Sequence, residues 1–94
     1  MKTTDLKIKT GYSETATFTL KAGTIVMVEE WGGRVRRAKV EALDEKDGRE
    51  LVTLVCERTG ANEGWAYVSQ IESVMGKMKL SSGRVARTWY PVSR

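Results

Sequence analysis

The sequence contains no histidine and a single cysteine among its 94 residues. Histidine is the usual general base near neutral pH and the commonest metal ligand, so its absence excludes histidine-based triads and disfavours catalysis in general. One cysteine excludes an intrachain disulfide. Because Cys56 ends the apolar run that begins at Leu51, we expect it to be a small buried side chain.

Long apolar runs are also missing, so no segment can span a membrane as a helix. The first ten residues carry Lys2, Lys7 and Lys9 without the apolar stretch of a secretory signal, and the default expectation is a cytoplasmic protein. The acidic residues lack the spacing of a calcium loop, and Gly32-Gly33 is not followed by a phosphate-binding Lys-Ser/Thr pair. We therefore predict neither a metal nor a cofactor.

What the sequence does contain fits one folded domain, because 40% hydrophobic residues can offset the entropy lost on ordering the chain. Its charge is uneven. Residues 76–94 hold five bases and no acid, whereas residues 1–75 hold 11 bases against all 12 acids. We expect three parts: an N-terminal arm or edge strand over 1–14, a β domain over 15–75, and a basic C-terminal extension over 76–94.

Alternation of polar and apolar residues predicts about five strands. A half-buried strand is indicated from Thr15 to Leu20, and the run 24–30, apolar on both faces, suits a central strand. Residues 34–43 and 50–58 flank Asp47-Gly48, which is a strong hairpin signal. An amphipathic helix over 34–46 is the alternative, and the neighbouring glycine pair argues against it.

The order of these elements over residues 16–75 resembles an SH3-like barrel of the bacterial branch. The matching features are the strand after Lys21-Ala22-Gly23, the Trp31-Gly32-Gly33 loop, the central hairpin, and the ending GWAYVSQIE from Gly64, similar to the family's Gly-Trp, single-turn 3₁₀ helix and closing strand. The resemblance implies an all-β, small five-stranded SH3-like barrel that acts as a binding module. Only three residues separate Leu20 from Thr24, so the long acidic loop of peptide-binding SH3 domains is absent, and Pro-rich peptide binding is not carried over.

Three aromatic residues form the predicted recognition surface, because such rings combine a large contact area with a polar group. Trp31, beside two glycines in a loop, is expected to be exposed, and Trp65 to be half buried. Tyr67 is the third ring. The alternative is that at least one of these rings fills the core.

A basic cluster begins at residue 34 and has two interpretations. On a strand, Arg34 and Arg36 face one side while Arg37 and Lys39 face the other, so they form no single patch unless a bulge intervenes. In the simpler interpretation this is a solvated strand paired with Glu50 and Glu57 across the hairpin. In the other, the cluster contacts nucleic acid together with the extension, which either folds back onto the domain or a second subunit, or orders when a partner binds.

We therefore predict a non-enzymatic module that recognises a protein partner, of a size that would suit an accessory or inhibitor protein of a mobile element. An acidic protein, a nucleic acid and a second copy of the chain are the partners considered, and no membrane is expected. A nucleic-acid-binding protein is the alternative, and an enzyme with a site formed between subunits is a third. The predicted partner-binding residues are Trp31, Arg34, Arg36, Arg37, Trp65, Tyr67, Lys77, Lys79, Arg84, Arg87 and Trp89.

Overall fold

The computed structural model describes residues 2–94; Met1, the first residue of the predicted N-terminal arm, lies outside them. These residues form eight β-strands and two single-turn 3₁₀ helices, which confirms the all-β prediction but exceeds the predicted five strands. The elements in chain order are β1 (Thr4–Lys9), β2 (Thr15–Leu20), β3 (Ile25–Glu29), η1 (Trp31–Gly33), β4 (Val35–Lys46), β5 (Arg49–Val55), β6 (Asn62–Tyr67), η2 (Val68–Gln70), β7 (Ile71–Lys79) and β8 (Val85–Pro91).

The strands form two antiparallel sheets. β1 and β2 make the smaller sheet, and the larger sheet has the order β6-β5-β4-β3-β7-β8. A bridge between Ile8 and Val92, with the Ser93 N–H donating to the Lys7 carbonyl, joins the small sheet to the segment after β8. Because β6 and β8 remain edges of the larger sheet, these pairings do not form the closed barrel that the sequence led us to expect. No helix within residues 2–94 is long and apolar enough to cross a membrane.

Alternating apolar residues of both sheets form one core. In β3 and β4 every second side chain points inward, so Val26, Val28 and Val40 are fully buried, and Leu20 from the small sheet joins them. Burying each such side chain contributes about 1.5–3 kcal/mol. β5 is apolar on both faces, since it carries buried residues at successive positions. The core therefore holds the two sheets together.

The predicted central hairpin is confirmed, and the helical alternative is wrong. β4 pairs with β5 down to Lys46 and Arg49, leaving Asp47-Gly48 as a two-residue turn. Both turn residues have positive φ, 53° and 76°, as a type I′ turn requires. The register of β4 against β5 shifts at Glu41, so a bulge bends this 12-residue strand.

The basic extension continues the larger sheet. β7 runs through Gly76 to Lys79 without a break, and β8 pairs with it from Ser73↔Pro91 to Lys79↔Val85. Beyond β8, the Val92 N–H donates to the Glu72 carbonyl. Strand pairing thus places 76–91 beside the body of the protein, and β1, within the predicted arm, pairs with β2 as an edge strand.

Candidate functional site

An open groove of about 520 Å³ lies where the η1 turn, β6 and η2 meet. It brings together four of the residues predicted from sequence: Trp31, Arg36, Trp65 and Tyr67. The full lining is Val28, Glu30, Trp31, Arg36, Arg49, Trp65, Ala66, Tyr67 and Gln70. The Trp31 ring therefore shares one surface with two rings that lie 34 and 36 positions later in the sequence.

The aromatic rings of the groove are accessible. Trp31 is fully exposed at 100% and Trp65 is 48% exposed, as the sequence predicted for both. None of the three rings belongs to the buried core, so the alternative that one fills the core is wrong. Trp65 and Tyr67 are alternate residues of β6 and therefore share a strand face; their rings meet edge to face with centroids 5.1 Å apart.

Two cations lie against these rings. The guanidinium of Arg49 lies 3.7 Å from the Tyr67 ring centroid, and the Lys46 ammonium lies 5.4 Å from that of Trp65. Both cations flank the Asp47-Gly48 turn, so the hairpin positions them beside β6. Sequence reasoning missed Arg49, because only the pairing of β5 with β6, which sets Leu51 opposite Tyr67, brings it to the groove.

Hydrogen bonds fix the groove wall. Gln70 accepts from the Tyr67 N–H through Oε1 at 2.9 Å and donates from Nε2 to the Glu29 carbonyl at 3.0 Å. The side chain therefore ties η2 to the end of β3. The Gly33 N–H donates to the Glu30 carbonyl at 3.1 Å and closes the turn that presents Trp31 to solvent.

Arg36, which lines the groove, is held by two acidic residues. It forms an ion pair with Glu30, its Nη2 donates to the Glu63 carbonyl at 2.7 Å, and its Nη1 lies 3.7 Å from the Glu63 carboxylate. Its side chain is 26% exposed. Arg36 thus braces the groove and neutralises Glu30. Arg49 has no ion-pair partner among residues 2–94.

Arg37 and Lys39 lie on the face of β4 opposite to that of Arg36, as the strand alternation predicted. Arg37 donates from Nε and Nη2 to the Glu57 carboxylate at 2.6 and 2.9 Å. This bidentate contact lowers the pKa of Glu57 below its ordinary value. The pairing expected with Glu57 is therefore present, whereas Glu50 stands opposite Glu45 in the hairpin. Arg34 follows η1, and its carbonyl accepts from the Glu30 N–H.

The extension residues do not join the groove. Lys77 and Lys79 lie on β7, and Arg87 and Trp89 lie on β8; Arg84 is in the connecting turn. Lys77 and Arg87 instead line a second open depression of about 520 Å³, over Phe18, Ile25 and Met75.

A pair of carboxylates lies beside the groove. A hydrogen bond and like-charge repulsion from Glu72 raise the pKa of Glu29, and burial adds to the effect, while Arg94 opposes it. Both carboxylates line a third depression next to Trp31. The two carboxylates therefore place like charges next to one another beside the groove.

Cys56 is partly exposed, so the expectation of a buried side chain is wrong. It lies one residue beyond β5, where the strand ends. Hydrogen bonds from the Thr59 hydroxyl and from the backbone of Thr59 and Arg58 lower the pKa of its thiol.

The fold and the groove together define an all-β domain with a solvent-accessible aromatic surface. Comparisons with protein-family models, with curated proteins and with solved structures give no match for this chain. Function therefore has to be inferred from the geometry of the groove and from the charges around it.

Proposed function

We propose that the chain is a non-enzymatic binding module that recognises a protein partner through the aromatic groove. The observation that carries this proposal is the fully exposed Trp31 beside the Trp65–Tyr67 pair. Aromatic and arginine side chains dominate the energetics of protein interfaces, because they supply large contact areas at a low entropic cost. An exposed tryptophan on a turn braced by hydrogen bonds is preorganised for such contact.

The charges of the groove favour an acidic partner segment. Glu30 is neutralised by Arg36, whereas Arg49 and the nearby Lys46 have no ion-pair partner among residues 2–94. β6 is also an edge strand, so its outer backbone groups can pair with an extended segment of the partner. A short acidic segment with an apolar anchor fits both features.

We also propose that residues 16–75 are a variant of the SH3-like fold. In support, η2 lies between β6 and β7, where the resemblance places the single-turn 3₁₀ helix. The two-residue turn after β4 matches its central hairpin. In this interpretation, the additional strands β1 and β8 extend the arrangement on either side.

The test is affinity capture with the intact chain, followed by measurement of the dissociation constant for the captured partner. Trp31→Ala should weaken binding by at least about thirtyfold, the effect of a strong interface residue. Because Trp31 is fully exposed, this variant should keep the wild-type melting temperature. Tyr12→Ala is a matched control, since Tyr12 is an equally exposed aromatic outside the groove.

Equal affinities of Trp31→Ala and Tyr12→Ala for the partner would refute the proposed surface. Capture is repeated after nuclease treatment of the lysate. Loss of the partner under nuclease would show that nucleic acid bridges the two proteins, and would also contradict direct protein recognition.

A further inference from the structure

Strand pairing assembles a second surface that the sequence leaves divided. On β4, Arg37 and Lys39 alternate with the buried Ala38 and Val40 and therefore point outward. On β7, Lys77 and Lys79 have the same outward direction relative to the buried Val74. On β8, Arg87 stands directly opposite Lys77. We call these five residues, Arg37, Lys39, Lys77, Lys79 and Arg87, the cationic face.

Partly exposed apolar side chains lie between the two groups of cations. Ile25 stands opposite Lys39, Met27 opposite Arg37, and Met75 opposite Trp89 in the strand register. The Arg37 guanidinium lies 5.5 Å from the centroid of the Trp89 ring, although the two residues lie on β4 and β8. The Trp89 ring therefore extends over β7 and β3 towards β4, so that cations border a strip of apolar surface.

The charge of this face is compensated only in part, by the Glu57 carboxylate, which pairs with Arg37 and also interacts electrostatically with Arg87 and Lys39. Among residues 2–94, only Arg37 of the five cations has a carboxylate within ion-pair distance, that of Glu57. Lys77 and Arg87 form a like-charge pair directly across the ladder, an arrangement that destabilises a sheet. Protection of an exposed edge can account for Arg87 on β8, but Lys39 and Lys77 lie on interior strands.

We propose that the cationic face binds single-stranded nucleic acid. Each nucleotide carries one phosphate and one planar base, which matches cations bordering an apolar strip. The indole of Trp89 and the guanidinium of Arg37 both offer planes on which bases stack. A duplex presents phosphates but conceals its base faces, and an acidic peptide lacks planar groups at every residue, so both match this surface less well. The face shares no residue with the aromatic groove and does not depend on the function proposed there.

The first test measures fluorescence anisotropy of a labelled 16-nucleotide DNA of mixed sequence, with the intact protein, between 50 and 200 mM salt. Phosphate contacts by the four cations without ion-pair partners predict a slope of log K against log salt of about −3, or roughly a fiftyfold loss over this range. In Lys77→Gln/Arg87→Gln the slope should fall to about −1.4, a loss of roughly sevenfold. Lys7→Gln/Lys9→Gln on β1 removes the same charge elsewhere and should keep the wild-type slope.

A second test separates stacking from charge. Trp89→Leu keeps apolar volume but removes the ring, and should weaken binding between about fivefold and a hundredfold, whereas Trp89→Phe should retain most of the affinity. Wild-type melting temperatures for both variants would show that the fold is intact. If Trp89→Leu loses stability, the salt dependence of Lys77→Gln/Arg87→Gln and the ligand comparison still decide whether the proposal holds.

The ligand comparison uses the same strand in duplex form and polyglutamate of similar charge. We expect the single strand to bind at least about tenfold more tightly than either competitor. Absence of single-strand binding at 50 mM salt would overturn the proposal. So would equal affinity for the duplex or for polyglutamate, an equal loss of slope in the Lys7/Lys9 control, or unchanged affinity in a folded Trp89→Leu protein.

Discussion

Gly76 lies against the ring of Tyr90, and this contact explains why the strand has no side chain there. A Cβ at Gly76 would approach the Tyr90 Cε2 atom to 2.9 Å, a distance that ordinary packing does not tolerate. We predict that Gly76→Ala lowers the free energy of unfolding by about 1–3 kcal/mol, measured by urea titration. Gly11→Ala is the control, since its Cβ would meet nothing closer than 3.6 Å. Equal effects of the two substitutions would contradict this explanation.

The Glu29–Glu72 pair predicts a pH dependence of stability. Because the fold raises the pKa of Glu29 above its ordinary 4.5, the folded state holds this proton more tightly than the unfolded state. That contribution to stability is fully present below pH 4.5 and is lost as the pH rises through the raised pKa. Glu29→Gln should therefore have a melting temperature close to wild type at pH 4 and a higher one at pH 7.

Glu72→Gln provides a matched test of the same pair. Removing either carboxylate removes the repulsion, so both single variants should gain stability at pH 7, and the double variant should gain less than the sum of the two. Additive gains would show that the two groups do not interact.

Single residues differ in how much of their environment could be predicted from sequence. The exposure of Trp31 could be predicted, because flanking glycines place it in a turn, and so could the opposite directions of Arg36 and Arg37. The close approach of Tyr90 to Gly76 could not, because it requires knowing which strand lies beside β7. Arg49 was missed in the groove for the same reason, since its neighbour Tyr67 belongs to another strand.

At the scale of elements, the β4–β5 hairpin depends on its turn. Asp47 and Gly48 both have positive φ, which glycine adopts freely and alanine does not. We predict that Gly48→Ala lowers the free energy of unfolding by about 1–2 kcal/mol, the cost of a left-handed residue with a Cβ. Asp47→Asn, which tolerates the same conformation, should change it little. Urea titration of both variants is the test, and equal stability of Gly48→Ala and wild type would refute the role of the turn.

The hairpin could be predicted because its signal is local, whereas the length of β4 and the course of β7 are set by neighbouring strands. The bulge at Glu41 lets β4 continue to Lys46 against β5, beyond the stretch that alternation indicates. The change of composition at Gly76 suggested a boundary, yet a strand needs only alternating side chains and a partner, and β8 supplies the partner. A change in charge is therefore not a break in the sheet.

At the scale of the whole molecule, charges that are separated along the sequence are brought together in the larger sheet. The chain separates a near-neutral part from a basic extension, but β7 pairs with β3 on one side and β8 on the other. The extension is thereby held beside Arg37 and Lys39 of the body. Any ligand that uses these cations together requires the complete larger sheet, and this arrangement could not be predicted without the register.

The stability of the fold also depends on the extension, and a truncated protein tests this dependence. Tyr90 and Val92 pack against the core, and Val92 bridges to Ile8 of the small sheet. Removing residues 80–94 should therefore expose the core and remove the bridge between β1 and Val92. The cost should be at least about 3 kcal/mol of unfolding free energy, seen as loss of a cooperative urea transition. Replacing Ser81 and Ser82 by glycine leaves these contacts in place and should preserve the transition. A truncated protein that unfolds as cooperatively as the full chain would instead indicate an extension that orders only on a partner, because its own contacts would then contribute nothing to the fold.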